Sequence, residues 1–95
     1  MVVMDRPRRL PDGRITAHLL SDREGEDAYR ELLPVAVALG CHPAFYQYPG
    51  RYKAHFDLIG PMRINAALAH PAISTVPRRA IAEILRRRKQ RETGQ

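Results

Sequence analysis

Ile15-Thr16-Ala17-His18-Leu19-Leu20 is the stretch on which the fold turns. It reads equally as a short strand or as a turn of helix, so its neighbours set the expectation. Upstream, Val2-Val3-Met4 is a short apolar run with β-branched residues, the pattern of a buried strand, and Asp5 stands at its carboxyl end. Residues 6–14 contain Pro7, Pro11 and Asp12-Gly13 and read as a loop. Downstream, Ser21 and Asp22 are natural N-cap residues for a helix over Glu26 to Leu39, where Tyr29, Leu32, Leu33, Ala36, Val37 and Leu39 recur at helical spacing. Pro34 falls inside it, at a cost of about 3 kcal/mol in a helix interior, which predicts a kink or two shorter helices. Gly40 is the expected stop.

Farther along, Ala44-Phe45-Tyr46 reads as a second strand and Gln47 to Lys53 as a turn around Pro49-Gly50. His55-Phe56-Asp57-Leu58 either extends that strand or leads into the next helix. Gly60-Pro61 opens a helix with proline in its first turn, and the helix ends near His70 because Pro71 disfavours helical geometry before it. Ala72-Ile73-Ser74 is a third short strand. Thr75 is the expected cap of a last helix, with Ile81, Ile84 and Leu85 facing the core. With Ile15–Leu20 set aside, the order is strand, helix, strand, helix, strand, helix. That alternation predicts an α/β domain of two or three layers, a short mostly parallel sheet of about three strands, and three helices in Rossmann-like order. Ligands in such folds sit at the carboxyl ends of the strands, where Asp5, His55 and Asp57 are expected.

The chain has 95 residues, 44% hydrophobic and 27% charged, with a formal net charge of +6. That length holds one ordinary domain, expected over 1–88, followed by a basic and polar tail over 89–95 that frays. The single cysteine excludes an internal disulfide framework. No apolar run approaches the ~20 residues that span a bilayer, and Met1 to Arg9 has no signal-peptide core, so a cytoplasmic location without a membrane partner is the expectation. The charge is uneven: residues 76–95 carry seven basic side chains against two acidic ones, while residues 15–75 are nearly neutral. Arg78, Arg79, Arg86, Arg87, Arg88 and Lys89 are therefore candidates for binding nucleic acid, set against the plainer reading of a solvated helix end. Phe45, Tyr46, Tyr48 and Tyr52, interleaved with Arg51 and Lys53, offer bases a stacking surface or simply fill core and interface. Cys41 beside His42 reads as an inert, partly buried thiol rather than a reactive one.

Asp5, His18, Ser21, Asp22, His55 and Asp57 form the polar constellation that carries chemistry. Asp5, His18, Asp22, His55 and Asp57 are the candidate metal ligands, and His18, His55 and Asp57 the candidate catalytic groups. His55 and Asp57 are two apart, so a strand places them on one face. Imidazole nitrogen with carboxylate oxygen suits Zn²⁺, Mn²⁺ or Fe²⁺, and the cofactor expected is a divalent metal, Zn²⁺, Mn²⁺ or Mg²⁺. Such a metal activates water or holds a phosphate; without one, a His–Asp pair acts as an oriented general base. The plain alternative makes these residues helix caps and backbone hydrogen-bond partners.

Four blocks in the chain, Val2-Val3-Met4-Asp5-Arg6-Pro7, Ala17-His18-Leu19-Leu20-Ser21-Asp22, His55-Phe56-Asp57-Leu58 and Ile73-Ser74-Thr75-Val76-Pro77-Arg78-Arg79, together resemble the bacterial and phage family called domain of unknown function 4031. The resemblance runs over roughly residues 1 to 88. Thr16 stands where the family usually has an aromatic residue, Phe56 replaces a tyrosine, and the segment from Asp22 to Gly40 is longer than usual. The resemblance implies one α/β domain and supplies no activity. Three functions stay open on the sequence: a small metal-dependent or His-assisted hydrolase of phosphoesters or nucleotides, a nucleic-acid or nucleotide-binding module, and an accessory domain that forms a homodimer through a sheet edge.

Overall fold

Ile15–Ser21 is a strand, and it is the centre of the sheet. The computed structural model describes residues 1–92. In chain order they form β1 (Val2–Asp5), β2 (Arg8–Arg9), β3 (Ile15–Ser21), α1 (Gly25–Ala38), a 3-10 turn at Pro43–Phe45, β4 (Phe56–Ile59), α2 (Pro61–Leu68), β5 (Ile73–Val76) and α3 (Arg78–Glu92). β3 pairs antiparallel with β1, β2 and β4, and only β5 runs parallel to its neighbour β1. The expected three-stranded, mostly parallel, Rossmann-like sheet is thereby overturned. The domain has five strands in a mixed, mostly antiparallel and strongly curled sheet with three helices.

The cause lies in two segments. Residues 6–14, read as a loop, hold β2 and a tight Asp12-Gly13 turn that sends the chain back along itself as β3. Ala44-Phe45-Tyr46, read as a strand, is a 3-10 turn, because Pro43 opens it and the His42 ring accepts the Ala44 N–H at 3.0 Å. The place of that strand is taken by Phe56–Ile59.

Both faces of the sheet are covered, which hides the two-residue alternation in β3. Val2, Met4, Ala17, Leu19, Phe56 and Leu58 point to one side and pack against Leu32 and Ala36 of α1 and Ile64 and Ala67 of α2. Val3 and Leu20 point to the other side, against Ile81 and Ile84 of α3. Three layers result: α1 and α2, the sheet, then α3. By strand alternation Asp5, His18, His55 and Asp57 belong to the α3 side, and Ser21 to the α1 side.

α1 runs as one helix through Pro34 rather than as two. Pro34 and Arg30, whose carbonyl loses its helical partner, are both exposed, so the missing bond falls on the solvent side of the helix while Leu32 and Ala36 stay buried. Glu24, not Ser21 or Asp22, is the N-cap residue, and it makes no side-chain cap. The helix closes at Gly40, φ 88°, where the Gly40 N–H reaches the Val37 carbonyl and the Cys41 N–H that of Ala36. That closure buries Cys41, and burial pushes its thiol pKa up, which suits an inert thiol. Thr75 lies inside β5 and caps nothing. α3 is helical through Glu92; residues 93–95, where part of the expected frayed tail falls, lie outside the described residues. Among the described residues no helix is long and apolar enough to cross a membrane.

Candidate metal centre

A one-residue slip in the sheet creates the site. Met4 faces Leu19, which would set Arg8 opposite Ile15, yet Arg8 faces Thr16. The extra residue is a bulge at Arg6-Pro7, where Pro7 has no N–H to give the ladder. Asp5 sits at the break, and its carboxylate does what a backbone carbonyl would have done. Asp5 Oδ1 accepts the His18 backbone N–H at 2.7 Å, and Oδ2 lies 2.7 Å from His18 Nδ1. Backbone and ring of His18 are thus held by one nearly buried carboxylate.

His18 and Asp57 are direct cross-strand partners in the β3–β4 ladder. His55 is two residues before Asp57, on the same face. The outcome is a cluster of three donors: His18, His55 and Asp57 each offer one ligand atom, all within 4.8 Å of one another. His55 Nε2 lies 3.1 Å from Asp57 Oδ1, and His18 Nε2 lies 3.9 Å from the same oxygen. The two rings meet edge to face, with centroids 5.3 Å apart.

Every other polar atom of the three side chains is engaged elsewhere. His18 Nδ1 donates to Asp5, and His55 Nδ1 donates to the Lys53 carbonyl. Asp57 Oδ2 accepts from Gln47 Nε2, which an antiparallel bridge between Gln47 and His55 holds in place. His55 Nε2 and Asp57 Oδ1 are within hydrogen-bond distance, so with each Nδ1 carrying its hydrogen either a second ring proton lies between them or each Nε2 turns a lone pair toward Asp57 Oδ1. Three electron-pair donors face one point. That is an unfavourable arrangement unless a proton or a cation stands among them.

The sequence placed five candidate ligands here, and the structure brings three together. Asp5 is one step removed, as the partner of His18 Nδ1. Asp22 does not join: it is four residues along the strand from His18, about 13 Å at strand rise. Its carboxylate holds the Met1 ammonium at 2.7 Å. Ser21 donates to Glu31 on the far face, at 2.6 Å. Gln47 and the Lys53 carbonyl were not visible as site elements in the sequence. Their part depends on a bridge that no local pattern encodes.

The Asp5–His18 contact sets the local proton balance. The hydrogen bond that His18 donates to Asp5 raises the His18 pKa above its ordinary value; burial opposes this, and the charges of Asp5 and Asp57 add to it. Burial works against the Asp5 charge, but the ring and backbone hydrogen bonds from His18, with the charges of His18 and Arg78, bring its pKa below the ordinary value. In metal-free protein, the His18 contribution to stability is therefore complete below about pH 6.5 and is lost as pH rises through the folded pKa. The Asp5 contribution is present above about pH 3.9 and is lost as pH falls through its folded value. A proton NMR titration of His18 in chelator is expected to give a pKa above 6.5, falling toward or below it in Asp5→Asn. An unchanged value in the variant would remove Asp5 as the cause.

Most side chains of the basic run are engaged with other groups of the domain. Arg86 pairs with Glu83, Arg91 with Glu24, and Lys89 lies over the Tyr52 ring with Nζ 5.7 Å from its centroid. Arg88 is buried, and donates to the carbonyls of Ser21, Arg23, Tyr52 and Ala54. As a nucleic-acid contact Arg88 is ruled out by that burial. Arg78, Arg79 and Arg87 remain exposed. In the aromatic segment Tyr46 packs on Tyr29 and Phe56, Tyr48 stacks on His55, and Phe45 is exposed.

The fold and site define a small three-layer α/β domain whose curled, mostly antiparallel sheet carries two histidines and one carboxylate on the face that α3 covers only in part. Comparisons with family models, with curated proteins and with solved structures find no match to the chain. The likeness to domain of unknown function 4031 thus rests on its motif residues alone.

Proposed function

We propose that His18, His55 and Asp57 bind a divalent transition metal and that the domain is a metal-dependent hydrolase. One observation carries this reading: three donor atoms converge while the opposite atom of each side chain is already hydrogen-bonded. Metal-binding histidines characteristically donate their second N–H to a carboxylate or carbonyl, as His18 does to Asp5 and His55 to Lys53. Two imidazoles and one carboxylate suit Zn²⁺, Mn²⁺ or Fe²⁺ better than Mg²⁺, which prefers oxygen ligands.

Zinc ligands at 2.0–2.1 Å in a tetrahedral set lie about 3.3 Å apart, so the side chains close in by up to about 1.5 Å on binding. His18 and Asp57 are about one-third exposed, which leaves room for that movement and for a water in the open position. A bound cation would lower the pKa of that water toward neutrality, the property a hydrolase needs. His18, His55 and Asp57 supply the ligands. Asp5, Gln47 and the Lys53 carbonyl keep them aimed.

Calorimetric titration of Mn²⁺ and Zn²⁺ tests this. The expected result is one saturable site per chain in the wild type and none in His55→Ala. Absence of saturable binding in the wild type overturns the proposal, as does a site that survives in His55→Ala with undiminished affinity.

A further inference from the structure

A shallow, largely open groove runs along α3 beside the cluster. One part, of about 430 Å³, is lined by Asp5, His18, Arg78, Arg79, Ile81 and Leu85, among others. The adjoining part, of about 110 Å³, is lined by His18, Leu20, Lys53, His55, Ile81 and Leu85. His18, Ile81 and Leu85 belong to both, so the two form one groove. Its floor carries the two histidines, its α3 wall is apolar, and cations stand at each end: Arg78 and Arg79 at one, Lys53 at the other.

The two arginines differ from most in the chain. Arg9, Arg14, Arg23, Arg30, Arg51, Arg63, Arg86, Arg88 and Arg91 each bond or pair with another group. Arg78 and Arg79 make no hydrogen bond or ion pair among the described residues, the first turn of α3 contains no acidic side chain, and the one carboxylate that feels the Arg78 charge is Asp5 in the same groove. Charge near the centre also matters. Asp5 and Asp57 contribute two negative charges; Arg78, Arg79 and Lys53 contribute three positive ones, and a divalent cation adds two more. The loaded groove is therefore strongly cationic and selects an anion. Guanidinium groups present forked donors that match phosphate oxygens, while Ile81 and Leu85 offer an apolar surface to the rest of the molecule.

We infer that Arg78 and Arg79 hold the phosphate of a phosphate-ester substrate whose organic body lies on Ile81 and Leu85, at the mouth of the His18–His55–Asp57 centre. This rests on the metal reading above and adds the substrate class. It also gives the exposed arginines at the start of α3 a single small ligand rather than a nucleic-acid track.

The test uses phenyl phosphate as the probe and Mn²⁺ as the metal, on wild type and Arg78→Gln/Arg79→Gln. Phosphorus NMR relaxation reports the approach of the probe to bound Mn²⁺, and the concentration dependence gives its affinity. The expected result is strong relaxation enhancement in the wild type and at least about tenfold weaker probe binding in the double variant, from the loss of charge-assisted bonds. Mn²⁺ affinity is expected to stay within about threefold, because neither arginine is a ligand. If Mn²⁺ binds but the probe affinity is equal in the two proteins, the arginine clamp is overturned and the metal centre stands. Equal binding of benzoate and phenyl phosphate overturns the phosphate assignment. Failure of Mn²⁺ to bind overturns both readings.

Discussion

Arg88→Met is expected to destabilise the domain by about 2–6 kcal/mol, a large part of the ~5–15 kcal/mol that holds a domain of this kind together. The side chain enters a closed space between three segments. Its Nε donates to the Arg23 carbonyl at 3.0 Å, its Nη1 to Tyr52 and Ala54 at 3.2 and 2.9 Å, and its Nη2 to Ser21. Among the described residues no carboxylate bonds to it. Burial lowers its pKa, and four carbonyl dipoles take the place of a counter-ion. Methionine keeps much of the volume but donates nothing, so the buried Ser21 and Ala54 carbonyls lose a partner, at about 1–3 kcal/mol each. Arg88→Lys recovers only part of this, because one ammonium cannot span carbonyls on both sides of the cleft. The comparison is Arg87→Gln, at an exposed neighbour, with an expected change within about 0.5 kcal/mol. Urea unfolding of the three variants decides it: a midpoint for Arg88→Met equal to that of Arg87→Gln would show that the four bonds contribute nothing net. The loop ending at His55 is fastened at the same place, since Glu92 accepts from Arg51 Nε at 2.5 Å and from the Tyr52 N–H at 2.9 Å. The end of α3 thus orders the loop that delivers His55.

Arg88 also shows where sequence reading stops. In the run Arg86-Arg87-Arg88-Lys89 all four residues look like one solvated face. The distinguishing sign is spacing: Arg88 continues the apolar stripe of Ile81 and Ile84. Spacing alone cannot supply the four carbonyls, which come from β3 and two loops. β3 failed to declare itself for a related reason. Leu19 faces α1 and α2 while Leu20 faces α3, so burial on both faces erases the alternation. Phe45 misled in the opposite direction, because its aromatic neighbours resemble a strand while Pro43 and the His42 cap fix a turn. By contrast, α2 was legible from Gly60-Pro61 and its end from Pro71, and β5 from its short apolar run, since these are local signals. Within the site, His55 and Asp57 were legible as a same-face pair. Asp22 was misplaced because its distance from His18 depends on β3 being extended. Asp5 was found, but its place one step behind His18 depends on a bulge that only the β1–β3 register shows.

The proposed metal site makes its sharpest prediction through the tautomer of His18. Saturation at about a thousand times the dissociation constant is expected to stabilise the wild type by about 4 kcal/mol, because the unfolded chain does not hold the three ligands together. His55→Ala and Asp57→Ala are expected to lose that increment. The increment, rather than stability itself, is the readout, since each variant also changes the metal-free fold. Asp5→Asn separates aiming from ligation. The asparagine carbonyl oxygen can still accept the His18 backbone N–H, so the bulge keeps its shape. Its amide nitrogen then faces His18 Nδ1 as a donor, and the ring must turn Nδ1 into the acceptor. The ring hydrogen moves to Nε2, the atom that should bind metal, and the lone pair is gone. Loss of such a partner typically weakens metal affinity about 10–100-fold, which at the same concentration leaves an increment of about 1.4–2.7 kcal/mol. Thermal unfolding with and without Zn²⁺ measures all three variants against the wild type. If Asp5→Asn retains the full increment while His55→Ala loses it, Asp5 is only a structural partner of the bulge. If His55→Ala retains it as well, the convergence of Nε2, Nε2 and Oδ1 is a network of hydrogen bonds and holds no metal.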